Sequence, residues 1–266
     1  MDLNTTLGYI GALLIGVVLG LIGGGGSILT VPILVYLFYF NAVTATAYSL
    51  FVVGVSSAFG TVKNIQKKRV NFKVAVIFSV PAFIAVYMTR RYILPAIPDD
   101  LIRLNGYVIS KDMAIMTLFA VMMLLAAKTM LTNKKDVETD QEPIKLNYLL
   151  IFIQAIFIGL FTGLVGAGGG FIIIPALIAL AHLPMKEAVG TSLLIIAINS
   201  LIGFTGDFGH LDIDWLFLLG FTGISVVGIF IGSYVSNFIN GAKLKKGFGW
   251  FILCMAVYII YKELTV

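Results

Sequence analysis

Ten apolar runs follow one another along this chain, at about 7–22, 27–40, 43–62, 72–89, 113–131, 147–165, 171–182, 187–205, 214–238 and 248–261. A helical membrane span needs roughly 20 mostly apolar residues. The 266 residues therefore allow about eight spans and leave no room for a soluble domain. Hydrophobic residues make up 59% and charged residues 12% of the chain, with a mean hydropathy of +1.03. A soluble fold cannot hide that much apolar surface, because its outside must face water. The sequence predicts a polytopic all-α integral membrane protein.

The remaining composition excludes several classes. The net charge is +5, but the basic residues sit in short loops between apolar runs. That is a topology signal, not a nucleic-acid footprint. A single cysteine, Cys254, allows neither an intrachain disulfide nor a cysteine metal cluster. No cofactor or metal site is expected. The N-terminus starts with an acid and lacks the positive region of a secretory signal, so the first apolar run is expected to belong to the mature fold.

The two halves repeat. Residues 20–34 read GLIGGGGSILTVPIL and residues 163–177 read GLVGAGGGFIIIPAL; at a constant offset of 143, 7 of 15 positions are identical. The same offset pairs Gly16 with Gly159, Ser49 with Ser192, Gly60 with Gly203 and Asn71-Phe72 with Asp214-Trp215. The polar stretch from Thr132, rich in charge and carrying Pro143, reads as a solvated connection. The expected organisation is a first transmembrane repeat at 1–131, a linker at 132–146 and a second repeat at 147–266.

Charge predicts how the repeats are oriented. The loop 63–69 holds Lys63, Lys67, Lys68 and Arg69 and reads as cytoplasmic; its counterpart 206–214 holds Asp207, Asp212 and Asp214 and no Lys or Arg. Equivalent loops on opposite sides mean inverted repeats, and inversion needs an odd number of crossings per half. The glycine runs Gly23–Gly26 and Gly166–Gly170 offer a way to get one. Each glycine in a helix interior costs about 1 kcal/mol relative to alanine. The runs on either side of the first glycine cluster are short for a full crossing. Each half then reads as a glycine-broken re-entrant helix pair followed by three full spans. Five short tilted crossings per half satisfy the same rule.

Broken helices in lipid must return their freed backbone groups to protein, water or ligand. Two breaks at matching repeat positions point to a transport site. Half-helices starting near Ser27 and Gly170 present unpaired N–H groups and a positive dipole end, which favour an anion. The candidate ligands are Gly24, Gly25, Gly26 and Ser27 in the first half and Gly168, Gly169 and Gly170 in the second. A second polar set follows on the next helix of each half: Tyr48, Ser49, Ser56 and Ser57, then Thr191, Ser192, Asn199 and Ser200. Of these, Ser49, Ser56, Thr191, Ser192 and Asn199 are the expected substrate contacts; interhelical hydrogen bonding is the competing role. Lys63, Arg90, Arg91 and Lys128 lie near run ends and are expected to snorkel to the interface. Asp207, Glu187, His182 and His210 read as solvated loop or end residues. Pro32 and Pro175 each free a carbonyl inside the second half-helix. A serine-protease reading fails because neither histidine lies mid-span, and no P-loop is present to drive transport with ATP.

The paired motifs GLIGGGGSILTVP and GLVGAGGGFIIIP, with AYSLFVVGVSSAFG and GTSLLIIAINSLIGF downstream, resemble the TauE/SafE family of sulfite and organosulfonate exporters. The resemblance covers about residues 8–260. It implies a secondary transporter of small sulfur-containing anions such as sulfite, thiosulfate, sulfoacetate or a related sulfonate, with export the usual direction. A proton or a sodium ion is the candidate coupling ion, and the cell membrane the expected location. The competing functions are a passive anion channel and a non-transporting membrane scaffold or receptor.

Overall fold

The chain is an all-α membrane protein, seen in a computed structural model that describes residues 3–24, 26–104, 107–132 and 148–265. Gly25 and the proposed linker after Thr132 lie outside the described residues. The first half contains α1 (Leu3–Ile22), α2 (Gly26–Tyr36), α3 (Ala42–Gln66), α4 (Phe72–Met88) and, after a π-helical turn and the short α5 (Leu94–Ala96), α6 (Lys111–Thr132). The second contains α7 (Tyr148–Val165), α8 (Gly170–Leu180), α9 (Met185–Thr205), α10 (Trp215–Val235) and α11 (Gly241–Thr265). Among the described residues six helical segments are long and apolar enough to cross a bilayer: Thr5–Ile22, Ala42–Gln66, Phe72–Ala96, Lys111–Thr132, Met185–Thr205 and Trp215–Val235.

Two details depart from the apolar pattern. First, α1 starts four residues before the apolar run, because Leu3 to Thr6 continue the helix; its 20 residues rise about 30 Å. Second, the stretch between the apolar runs 72–89 and 113–131 is structured: it follows the π turn Thr89–Ile93 and ends in an antiparallel hairpin of β1 (Asp100–Leu104) and β2 (Tyr107–Ser110).

Helix starts are set locally. The Asn41 side chain accepts the Thr44 N–H at 2.7 Å, Asn71 accepts that of Val74 at 3.1 Å, and Asp214 accepts that of Phe217 at 3.1 Å. Each satisfies a donor that the helix itself cannot. Asn71 and Asp214 are repeat counterparts, so the same device opens α4 and α10.

The duplication recurs in the packing. Gly16 of α1 lies on the Ser225 carbonyl of α10, and Gly159 of α7 lies on the Ala82 carbonyl of α4. Gly20 meets the Ile229 carbonyl and Gly163 meets the Val86 carbonyl. Gly23 packs on Val189, and Gly166 on Thr46. Every one of these pairs becomes the other under the 143-residue offset. Such exchange is what a twofold relation between halves produces. At its centre α3 and α9 run antiparallel: the Phe51 and Phe204 rings meet at 5.0 Å, tilted by 56°, Gly54 faces Leu201 and Gly60 faces Leu193. Only small residues let backbones approach this closely in the absence of a hydrophobic drive between helices.

The outer faces repeat as well. Leu7, Ile10 and Leu14 of α1 are exposed, as are their counterparts Leu150, Ile153 and Phe157 of α7. On α4 the exposed stripe is Phe72, Val76, Val80, Ile84 and Met88, at the four-residue spacing of one helix face. These stripes are the surface that lipid covers.

Candidate functional site

Both glycine-rich stretches interrupt their helices. α1 ends at Ile22, where the Gly23 N–H still donates to the Leu19 carbonyl at 2.7 Å; α7 ends at Val165, where the Gly166 N–H donates to the Thr162 carbonyl at 2.8 Å. Gly23 and Gly166 then take φ of 78° and 68°. Gly168 and Gly169 follow at 61° and 69°, a left-handed backbone open to glycine at low cost. α8 starts on the left-handed Gly169, whose carbonyl accepts from Ile172 and Ile173. The N–H groups of Gly170 and Phe171 therefore have no intrahelical acceptor.

The two breaks meet. A methyl on Gly24 would strike the Gly170 backbone at 2.5–2.7 Å, and one on Gly170 would strike Gly24 in turn. Gly23, Gly24, Gly26 and Gly166 to Gly170 are all buried. Bare backbone at both sides is what brings the start of α8 against the end of the first break.

Ser27, Ser192, Ser200 and Thr162 carry hydroxyls at this junction, and the polar groups of α3 and α9 differ in how they are engaged. Ser27 Oγ donates to the Gly24 carbonyl at 2.7 Å, so it closes the first break. Ser192 Oγ lies 3.0 Å from the Gly23 carbonyl and 2.9 Å from that of Val189, tying α9 to the same break. Thr191 Oγ1 accepts the Asn71 N–H at 3.0 Å and is engaged at the α4 start. Ser56 Oγ donates to Ser225 Oγ at 3.0 Å, between α3 and α10. By contrast Ser49 Oγ, Ser57 Oγ, Ser200 Oγ, Thr162 Oγ1 and Asn199 Oδ1 are buried with no hydrogen-bond partner. Ser57 and Ser200 are repeat counterparts, and Ser200 Oγ lies 3.0 Å from where a methyl on Gly168 would stand. Burying a hydroxyl without a partner costs about 1–3 kcal/mol. The unpartnered Ser200 and Thr162 hydroxyls, beside Gly168 and Gly169, have the chemistry of a site that accepts a polar ligand.

Several expectations need correction. Arg90 does not snorkel: it is 0% exposed. The π turn carries the helix past the end of the apolar run and turns Arg90 inward. Its Nε donates to Asp207 Oδ2 at 2.9 Å, and its Nη1 donates to Thr46 Oγ1 at 3.0 Å and to the Gly163 carbonyl at 3.3 Å. Asp207, read as a solvated loop residue, is 3% exposed. Its burial pushes the carboxyl above the usual carboxylate range, against the opposing pull of Arg90 and His210. Thr162, Arg90 and Asp207 are site neighbours that the sequence pattern missed. Their pairing joins residues 117 positions apart, and no local signal marks it. His210 faces Arg91 at 2.9 Å, His182 is exposed, and the Glu187 carboxylate accepts from Asn71 Nδ2 at 3.4 Å.

Comparison with known proteins agrees with this architecture. The chain is 27% identical over 255 residues to a "Probable membrane transporter protein" of Xylella fastidiosa (strain 9a5c), covering 94% of this chain and 92% of that one. It is 29% identical over 255 residues to the "Probable membrane transporter protein YunE" of Bacillus subtilis (strain 168), with 88% of each covered. A shorter match, 37% over 116 residues, links it to the "Probable membrane transporter protein MJ0441" of Methanocaldococcus jannaschii, over 41% of this chain and 43% of that one. No solved structure matches it significantly. The model of the family described as "Sulfite exporter TauE/SafE" matches residues 9–259, and with the multi-pass helical fold this places the chain in the TauE/SafE family of membrane transporters.

Proposed function

We propose that this protein is a secondary transporter that moves a small sulfur-containing anion (sulfite, thiosulfate, sulfoacetate or a related sulfonate) across the cell membrane, in the direction of export, by alternating access. The observation that carries the reading is the junction itself: the Gly24 and Gly170 backbones in contact, with the buried, unpartnered Ser200 and Thr162 hydroxyls beside Gly168 and Gly169. Helix N-termini and neutral donors suit an oxyanion, because they stabilise negative charge without holding it irreversibly. The substrate-binding groups are the N–H groups around Gly24–Ser27 and Gly168–Gly170, with Ser49, Ser57, Asn199 and Ser200 completing the shell. Ser56 and Ser192 act one layer out through the bonds they already make. The family description supports the sulfur chemistry.

In this reading the two halves lie inverted in the bilayer. The antiparallel α3 and α9 favour it, since a twofold axis that reverses equivalent spanning helices lies in the membrane plane. The end of α3 carrying Lys63, Lys67, Lys68 and Arg69 faces the cytoplasm. The junction then sits near the midplane, where broken-helix transporters hold substrate. Rocking of one bundle on the other, coupled to a proton or a sodium ion, exposes it to each side in turn.

The test is flux of labelled sulfite, thiosulfate and sulfoacetate in proteoliposomes, with proton and sodium gradients imposed separately. Saturable, gradient-dependent movement of at least one of these anions is expected. Non-saturating conductance would replace the reading with a channel, and no movement or binding of any of them would end it.

A further inference from the structure

The Arg90–Asp207 pair is placed where a transported anion would need a counter-charge. Arg90 Nη1 bonds Thr46, whose side chain packs on Gly166, and the Gly163 carbonyl in the last turn of α7. Both contacts belong to the second glycine break. Nη2 lies 2.9 Å from Asp207 Oδ2, the oxygen already taken by Nε, and makes no hydrogen bond of its own. Thr162 Oγ1, beside Gly169 in the same break, is also unpartnered and 3% exposed. The guanidinium thus keeps donor capacity that the protein leaves unused.

The twofold relation sharpens the point. The repeat counterparts of Arg90 and Asp207 are Ser233 and Asn64, both neutral, and Asn64 simply donates to the Gly60 carbonyl at 2.9 Å. The fold therefore packs at this location without a charge pair. A buried ion pair is weak evidence for stability, because desolvation of both ions offsets their attraction. Its presence in one half alone calls for a role other than packing.

Resting on the transport reading above, we propose that Arg90 is an anion-binding residue of the transport path, and that Asp207 is an internal carboxylate that holds its guanidinium in the anion-free state. The arriving oxyanion displaces Asp207 from Arg90. Asp207 and Arg90 lie at the start of α3, the end opposite its basic terminus, so the exchange serves the extracytoplasmic side of the junction. A proton taken by Asp207 from that side neutralises the competitor and favours the anion. Two ionisable groups act near Asp207 besides Arg90: His210, and Arg91, which contacts His210 and donates to the Phe208 carbonyl at 3.0 Å. Thr46 of α3 and the Gly163 carbonyl of α7 do not titrate.

The test uses the full chain in detergent and proteoliposomes, with thiosulfate as probe because its charge is constant over the pH range used. Asp207→Asn is expected to tighten thiosulfate binding about tenfold, the equivalent of removing roughly 1.4 kcal/mol of competition. It is also expected to abolish the rise in wild-type affinity on acidification. Thiosulfate should raise the melting temperature of Asp207→Asn more than that of wild type, since it supplies the missing counter-charge. His210→Gln should keep the wild-type pH response. The double variant Arg90→Gln with Asp207→Asn, which leaves no unpaired charge, should fold but bind thiosulfate more weakly than wild type. Wild-type affinity in the double variant, or an unchanged pH profile in Asp207→Asn, would overturn the proposal while leaving transport intact. Absence of thiosulfate, sulfite and sulfoacetate binding by wild type would overturn both.

Discussion

The Tyr48 hydroxyl accepts the backbone N–H of Asp214 at 2.7 Å, and at the repeat-related position the Thr191 hydroxyl accepts the N–H of Asn71 at 3.0 Å. Two different side chains thus tie a core helix to the capping residue that opens the next long helix. Each bond satisfies a donor that the following helix leaves free. Tyr48→Phe and Thr191→Val are each expected to lower stability by about 1 kcal/mol, read as a fall of about 2–4 °C in melting temperature. Substrate affinity should hold in both. A loss of affinity in Thr191→Val with no change in melting temperature would return that hydroxyl to the binding shell.

Gly16 and Gly159 make the same prediction twice. Each lies against a carbonyl of the neighbouring helix, Ser225 and Ala82 respectively, so an added methyl must push two backbones apart. Overpacking of this kind costs about 1–3 kcal/mol. Gly220 on the outer face of α10 has nothing within 4 Å. Gly220→Ala is therefore expected to be neutral or to stabilise by up to about 1 kcal/mol through helix propensity. Thermal melting of Gly16→Ala, Gly159→Ala and Gly220→Ala under one set of conditions checks the contrast. Equal melting temperatures for all three would mean that the close helix approach is not rigid.

What the sequence made legible is what local chemistry writes. The apolar runs gave the helices because lipid demands them one by one, and the glycine clusters gave the breaks because no other residue takes those dihedrals cheaply. Asn71 and Asp214 were visible as a repeated pair before their capping role was known. Burial of polar groups is another matter. Ser57 and Ser200 stood in the polar set, but nothing local distinguished them from Ser56 and Thr191, whose bonds reach other helices. Arg90 was misread because the end of an apolar run is not the end of the helix: the π turn at Thr89–Ile93 continues inward. The hairpin of β1 and β2 lacked the alternating apolar pattern that announces a strand.

Gly169 tests the second break directly. Its φ of 69° is disfavoured for any residue with a Cβ, by about 1–2 kcal/mol. A methyl there would also meet Thr162 Oγ1. Gly169→Ala should destabilise the protein, and adding Thr162→Ala should recover the steric part but not the dihedral part. Full recovery in the double variant, measured by thermal unfolding, would show that the left-handed turn is not required.

Ser200 and Asn199 separate binding from packing most cleanly. Ser200 Oγ and Asn199 Oδ1 are buried and make no hydrogen bond within the protein. Removing a buried polar group that has no partner relieves a desolvation cost, so Ser200→Ala is expected to leave the melting temperature of the substrate-free protein unchanged or slightly higher. Both Ser200→Ala and Asn199→Ala should weaken oxyanion binding by about 1 kcal/mol each, or roughly fivefold. Ser57→Ala, at the counterpart of Ser200, should follow it in sign. Calorimetric binding of thiosulfate, set beside thermal unfolding of the same samples, reads both quantities. A Ser200→Ala protein that melts lower and binds as well as wild type would mean that the hydroxyl supports the fold and not the anion.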